Sequence, residues 1–505
     1  MLLKRILLLV VLPDGTRMAT LAVIPGASSS TVVRALVIAR DASREPNITA
    51  RAEGATQVTV AVDAPPVSEP LANAMRGARV IVRRVVVSLA VADTTRITIA
   101  VSVDGASQVV TLATLPTQLP AEGLSFVVAS CYYNGFKHGA LLNAALRTRM
   151  SEVAPLFQLW IGDNLYMDVP GFGVFSGDHP YEQTLDRYLN YLLDGAYPSA
   201  RAVHANFTTY DDHDLWNDYP EMQSWLPRTQ GSARAQYVAA GRACLDLFQA
   251  SVNPPPASAN GRSFRIDFSQ VSFFVADTRT ERQRDTQQNP PPKMMTDEDL
   301  GALVAWAENL DTPGVLVLGQ PLWLEPVSHT LGVKADHNPA FFRMQYERIW
   351  QAIRAAPYDI LVISGDIHYS RFMRLTMQNA GNRKVFELVT SPAAEIPTVL
   401  TTALEVLGFS TSQDRAACVA PGAIAGSAQK LKGDYLFATS AQNTFALVTL
   451  KPSPGRSVQV GAAFVDYVPT PRFARAEKLE GVAKWSSTRD YAQCNEPRIC
   501  VLRER

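Results

Sequence analysis

From about residue 121 the sequence repeats one pattern, a short apolar run followed by a longer stretch with helical periodicity. Leu124–Ser130, Leu156–Ile161, Phe207–Tyr210, Val271–Val275, Val315–Leu318 and Ile360–Ser364 are the runs. Each is too short for a buried helix, and none alternates apolar with polar as a half-exposed strand does. They read as strands covered on both faces. Gly139–Val153, Tyr181–Leu193, Arg234–Ala250, Asp297–Asn309 and Met344–Ala355 are the helices between them. Thr296, followed by Asp297, Glu298 and Asp299, gives one of these helices an N-cap and an acidic first turn. Such alternation requires an α/β layered domain, because each sheet face must bury its apolar side chains against another layer.

The preceding residues have a different texture. Gln57–Val62, Arg79–Val91, Arg96–Val103 and Ser107–Leu112 are β-branched runs without helical periodicity, and Asp104-Gly105 is a hairpin turn. They predict an N-terminal all-β sandwich, read as a packing or positioning module. At the other end, Thr444–Leu450 and Ser457–Val465 flank Pro452-Ser453-Pro454-Gly455, a long hairpin able to extend a sheet. A chain of 505 residues is too long for one core. The expected division is 1–120 for the β-sandwich, 121–450 for the α/β domain, and 451–505 for a hairpin and tail packed on it. Pro254-Pro255-Pro256 and Pro290-Pro291-Pro292 read as surface loops.

Charge narrows the function classes. Lys+Arg and Asp+Glu both total 47, which excludes a general nucleic-acid binder or a polybasic membrane-surface protein. No apolar run approaches the roughly 20 residues of a bilayer span. Met1–Arg5 and Ile6–Leu12 have the outline of a signal peptide, but Pro13-Asp14-Gly15 stands where small cleavage-site residues belong. A hairpin pairing Ile6–Leu12 with Met18–Ile24 is the preferred reading, and a cytoplasmic location follows as an expectation. The five cysteines show no disulfide framework, and Cys494 and Cys500 are either a terminal pair or unrelated thiols. Two sequons, at Asn47 and Asn206, are too short a signal to change that.

Four of the strands run into polar residues that bind metals or carry protons. They end in Cys131, in Gly162-Asp163-Asn164-Leu165-Tyr166, in Asp211-Asp212-His213-Asp214, and in Gly365-Asp366-Ile367-His368. Ligands of open α/β sheets bind beyond the carboxyl ends of the strands. Each motif has a plain alternative: a capping Asp, a solvated acidic turn, a buried structural thiol. Together they gather thiol, phenol, carboxylate and imidazole groups, a donor set suited to metal ions. Crowded carboxylates also repel one another unless a cation relieves them.

These four segments, in this order, resemble the PhoD-like alkaline phosphatase/phosphodiesterase family, a branch of the calcineurin-like metallophosphoesterases. Phe274-Val275-Ala276-Asp277-Thr278-Arg279 and Leu318-Gly319-Gln320 are similar to two further family segments, and the resemblance spans roughly residues 121 to 400. It implies a four-layer α/β sandwich, with the preceding β-domain also typical, and hydrolysis of phosphate esters by a metal-bound hydroxide. Cys131, Tyr166 and His368 would hold a first ion, with Asp163 bridging to a second site. Asp212, in preference to Asp211, and Asp366 would complete that second site. His213 would protonate the leaving oxygen, and Asn217 and Arg279 would neighbour the substrate phosphate. Thiolate with phenolate favours Fe³⁺ at the first site, and an oxygen-rich second site suits Ca²⁺, with Mg²⁺, Mn²⁺ or Zn²⁺ as alternatives.

Substrates implied by the resemblance are small-molecule or lipid phosphate esters. Monoester or diester preference would depend on loops near 165–205 and 320–345. A phospholipase-like diesterase needs an apolar acyl groove, for which Phe172–Phe175 is a candidate. A binding protein working through its β-domain is the other class, and the intact set of ligand positions argues against it. His138, His179, His204, His329 and His337 have no comparable setting and read as structural or loop residues. Trp323 and Tyr369 are candidates to line the pocket. Oligomeric state is not legible.

Overall fold

The structure is a computed structural model. It describes residues 19–54, 57–90, 94–134, 142–146, 154–169, 175, 177–193, 196–223, 226–283, 292–322, 342–368, 370–377, 383–394, 431–439, 443–466 and 498–502. The first strand of the expected N-terminal hairpin lies outside these residues, as do His138, His329, His337, Trp323, Tyr369 and Cys494.

The N-terminal sandwich is built from β1 (Thr20–Ser28), β2 (Val32–Arg40), β3 (Asn47–Ala52), β4 (Val58–Asp63), β5 (Val80–Leu89), β6 (Arg96–Val103) and β7 (Ala106–Ala113). One sheet has the order β1-β2-β5-β4 and the other β3-β6-β7. Between them Val33, Ala35, Val37, Val85 and Val87 meet Ile97, Ile99, Val101, Val110 and Leu112. The β6–β7 turn is Asp104-Gly105 as expected, with φ of 45° and 80°, the left-handed pair that matches hairpin twist.

The other face of the first sheet is buried too. Ile24, Leu36, Ile38 and Val82 share a cluster with Leu71 of α1 (Glu69–Gly77) and with helix residues of the next domain. Covered on both faces, β2 loses the period-two pattern that would have disclosed it.

The α/β domain holds two facing sheets. The first contains β8 (Leu124–Ala129), β9 (Phe157–Ile161) and β10 (Ala205–Thr209), all parallel. The second contains β11 (Phe264–Phe268), β12 (Val271–Val275), β13 (Gly314–Val317), β14 (Ile360–Ser364), β15 (Ser370–Met377), β16 (Arg383–Val389) and β17 (Leu431–Thr439), in the order β11-β12-β13-β14-β16-β15-β17. Phe126, Phe157, Phe207, Phe273, Val317 and Ile363 fill the gap between the sheets, with Phe126 and Phe157 stacked at 4.8 Å. Each such side chain contributes about 1.5–3 kcal/mol by leaving water.

Alternate residues of the same strands face outward. Ala129 and Trp160 pack under α2 (Pro180–Leu192), α3 (Ala196–Arg201) and α4 (Arg234–Phe248). Leu316, Ile360 and Val362 pack under α5 (Asp297–Glu308) and α6 (Arg343–Ala355). The result is the four-layer sandwich expected. Thr296 caps α5 by accepting from the Asp299 N–H at 3.0 Å.

The C-terminal hairpin extends a sheet as expected. β18 (Thr444–Ser453) runs across residue 450, pairs antiparallel with β8, and carries β19 (Ser457–Asp466) and β20 (Arg498–Leu502) beyond it. The hairpin is therefore part of the first sheet. Of the helix expected over Gly139–Val153, residues 142–146 are described and helical.

Candidate metal centre

The strand ends are tied to one another by backbone hydrogen bonds. The Cys131 N–H donates to the Gly162 carbonyl at 3.2 Å and the Tyr132 N–H to that of Asp163 at 2.9 Å, which locks the end of β8 to that of β9. The Ala393 N–H reaches the Ser130 carbonyl at 2.6 Å, joining the loop after β16 to the first sheet. Close approach demands glycine at the crossing points. A Cβ on Gly162 (φ 96°) would sit 2.7 Å from the Asp211 Cβ, and one on Gly365 would sit 2.4 Å from the Ser130 Oγ.

On this frame the expected donors converge. Cys131 Sγ lies 3.4 Å from Asp163 Oδ2, and the Tyr166 hydroxyl lies 3.2 Å from His368 Nε2. Asp163, Asp212 and His213 offer ligand atoms all within 4.8 Å of one another, and so do Asp211, Asp212 and Asp366. Asp163 belongs to the first trio and touches Cys131, as a bridging group would.

Electrostatics say what the cluster lacks. Burial pushes the Asp163 carboxyl well above the usual carboxylate range, and Cys131, Asp212, Asp211 and Asp366 push it further. Burial likewise raises the Cys131 thiol to about 12, with Asp366 adding to it. Burial first, then Cys131 and Asp163, hold the Tyr166 phenol well above its ordinary value. Acidic groups buried together resist ionisation until positive charge arrives. The donor set therefore fits cations: sulfur, phenol and imidazole at one end, carboxylates at the other.

His213 occupies a different setting. Its Nδ1 is 2.7 Å from Asp168 Oδ1, and its backbone N–H donates to Asp163 Oδ1 at 3.1 Å. Its ring lies 4.2 Å from that of Tyr166. Burial lowers its pKa, but the charge of Asp168 and Asp212 and the hydrogen bond to Asp168 outweigh that and raise it to about 10.

Asp168 went unnoticed in the sequence, although it stands two residues beyond Tyr166. Its Oδ2 also accepts the Asn217 N–H at 2.8 Å, so it holds both His213 and the loop that carries Asn217. Asn217 itself is half-buried beside this dyad. Ser391 is the other residue missed. Its hydroxyl donates to Cys131 Sγ at 3.0 Å and accepts the His368 N–H at 3.2 Å. Glu387 interrupts Val385–Val389, so no continuous apolar run marks β16 or points to the Thr390-Ser391 that follows it.

The structure separates Asp211 from Asp212 and engages Arg279 within the chain. Arg279 is fully buried, forms an ion pair with Asp211, and donates from Nη1 to the Tyr219 carbonyl at 2.7 Å. Asp211 is thereby engaged by a cation of the chain itself and also accepts the Asp212 N–H at 3.1 Å. Asp212 belongs to both trios of ligand atoms.

Phe175 packs at 4.9 Å on the Tyr237 ring and edge-on to Trp216, and residues 172–174 of that stretch lie outside the described residues. His204 and His179 stand outside the cluster; burial lowers the His204 pKa to about 4.

Comparison with known proteins agrees with this geometry. A family model described as PhoD-like phosphatase matches residues 126–406. No curated protein matches the chain. Among solved structures, that of PhoD superposes with a TM-score of 0.54 at 16% identity, covering 88% of each chain, and so shares the fold. Purple acid phosphatase PPD1 from yellow lupin (Lupinus luteus) seeds aligns with a TM-score of 0.48 at 12% identity over 88% of this chain and 72% of its own. The family match covers more than half of the chain and includes all four metal-ligand segments, so the chain belongs to the PhoD-like phosphatase family and is a metallophosphoesterase.

Proposed function

We propose that this enzyme hydrolyses phosphate monoesters or diesters of small molecules or lipids. In this reading Cys131, Tyr166, His368 and Asp163 hold a first ion, Fe³⁺, and Asp163, Asp212 and Asp366 hold a second, Ca²⁺ or a similar divalent cation. The observation that carries it is the convergence of these donors beside His213, whose ring is held by Asp168. Cations held by these residues would supply Lewis acidity toward a water and the phosphoryl oxygens.

The chain's own groups do the rest. Asp168 fixes the His213 ring through Nδ1, which leaves Nε2 to exchange a proton with the leaving oxygen. The Asp168 carboxylate on Nδ1 favours the protonated imidazole, the state a general acid needs. Asp211, paired with Arg279, stands behind Asp212 and fixes the turn that presents it. Asn217, held through its backbone by Asp168, is the candidate for the substrate phosphate once Arg279 is assigned to the interior.

The test combines turnover of p-nitrophenyl phosphate and of its bis-ester with metal analysis of the same preparation. Ester hydrolysis lost on chelation and restored by metal, with iron present and a visible sulfur- and phenolate-to-iron absorption, is expected. Full activity in a colourless, iron-free protein would remove the ferric assignment. Hydrolysis of neither ester in the metal-loaded protein would remove the substrate class.

A further inference from the structure

We propose that Ser391 is a positioning residue of the metal centre, whose hydroxyl sets the donor strength of the Cys131 sulfur and the spacing between Cys131 and His368. This rests on the reading of Cys131 and His368 as ligands of one ion.

The argument is one of proton direction. A serine hydroxyl has one proton and two lone pairs. The Ser391 oxygen accepts the His368 N–H at 3.2 Å, which leaves its proton for Cys131 Sγ at 3.0 Å. Ser130 Oγ also lies 3.5 Å from the sulfur, but its proton is spent on the Thr390 carbonyl at 2.8 Å. The other polar neighbours of the sulfur include Asp163 Oδ2 at 3.4 Å and the Asp366 carbonyl at 3.8 Å, oxygens that do not donate to a thiolate, and the Tyr166 hydroxyl, which would give up its proton on ligating the ion. Ser391 is thus a donor that stays aimed at this sulfur when Tyr166 is ionised.

The hydroxyl is itself held in place. Ser391 is fully buried, and its N–H donates to Ser370 Oγ at 3.2 Å. The Ala394 N–H, three residues on, donates to the Cys131 carbonyl at 3.1 Å. One oxygen from the loop after β16 therefore spans a ligand from the end of β8 and another from the end of β14. A hydrogen bond to a thiolate stabilises the anion and withdraws electron density from the metal–sulfur bond. Hydrogen-bond partners of metal ligands orient them and typically account for about 10- to 100-fold in metal affinity.

Cobalt(II) is the probe, since its sulfur charge-transfer absorption reports cysteine ligation whatever the native metal is. Parent, Ser391→Ala and Ser391→Thr proteins are stripped and titrated with Co²⁺. In the alanine variant the absorption should move to longer wavelength and Co²⁺ affinity should fall by roughly 10- to 100-fold, with threonine returning both toward the parent. An alanine variant with parental band position and affinity overturns the proposal while leaving Cys131 a ligand. Absence of the band in the parent overturns the ligand assignment beneath it. Should the alanine variant not fold, resonance Raman of the parent in D₂O decides the matter. A shift of the cobalt–sulfur stretch on exchange of the hydroxyl proton is expected, and an unmoved stretch overturns the proposal.

Discussion

Replacing Arg279 with methionine separates two roles that one sequence motif can serve. In the structure its guanidinium is fully buried on Asp211 and on the Tyr219 carbonyl. Methionine keeps the apolar stem and removes the charge, leaving the Asp211 carboxylate buried beside Asp163, Asp212 and Asp366. Breaking a buried ion pair from one side costs about 3–5 kcal/mol. At about 1 °C per kcal/mol for a chain of 505 residues, the melting temperature should fall by roughly 3–5 °C. Thermal melts measure this, together with KM for p-nitrophenyl phosphate and inhibition by inorganic phosphate. Added Ca²⁺ or Mn²⁺ should recover part of the loss, because a cation can replace the missing charge. Asp211→Asn in the same chain should also recover part of it, since asparagine keeps the cap on the Asp212 N–H without the charge. An unchanged melting temperature, with KM and the phosphate inhibition constant raised tenfold or more, would refute the reasoning and return Arg279 to the substrate.

Three other perturbations probe separate parts of the structure. Asp168→Asn should lower kcat by about 100-fold or more with metal content intact, as loss of a general acid's orientation would; loss of metal instead would make the pair a ligand shell. Gly162→Ala places a Cβ 2.7 Å from the Asp211 Cβ at a left-handed φ of 96°. It should lower stability and metal retention together, and a variant matching the parent in melting temperature and metal content would refute the packing argument. His204 has a folded pKa of about 4 against an ordinary 6.5, so below pH 6.5 the unfolded chain takes up the proton first. Its contribution is therefore complete above pH 6.5 and lost as pH falls toward 4, by up to about 3 kcal/mol. His204→Leu should flatten this fall relative to the parent, measured as urea midpoints at pH 7 and pH 5; parallel losses in both proteins would exclude His204 as its source.

The strands and the donors were legible for the same reason. A strand buried on both faces is a continuous apolar run, and the polar residue that ends it stands out, as Asp163 does after Phe157–Ile161. Partners across the chain were not legible. Arg279 and Asp211 are far apart in sequence, as are Ser391 and Cys131, and nothing in either local segment says which partner the fold will supply. Arg279 beside Asp277 reads equally well as a phosphate contact or as an internal cation. Only the packing of β10 against the loop after β12 decides. The edge strands β11 and β17, and β15 beside the latter, are not legible because their sequences mix charged and apolar residues, as in Arg265 and Asp267 of β11, and lack the uninterrupted run that marks β14.

Four of the expected ligands share an unusual backbone. Cys131, Asp163, Asp366 and His368 adopt φ of 56°, 50°, 70° and 48°. A residue other than glycine pays about 1–3 kcal/mol for such a conformation, and only surrounding structure can hold it. That structure is visible here. Cys131 is bound at its N–H by Gly162 and at its carbonyl by Ala394, the Asp163 carbonyl accepts from Tyr132, and the Gly365 N–H before Asp366 donates to Gly319. These bonds run between strand ends and involve no metal. The chain reverses just past each strand because the frame requires it, and the reversal brings the side chains toward one another. If so, chelation should remove the ions without dismantling the centre. The stripped protein should keep its far-ultraviolet circular dichroism, lose hydrolysis, and regain it on metal addition without a slow refolding phase. A stripped protein that loses its strand signal, or recovers only after denaturation and refolding, would show that the ions hold the strand ends in these conformations and the hydrogen bonds do not.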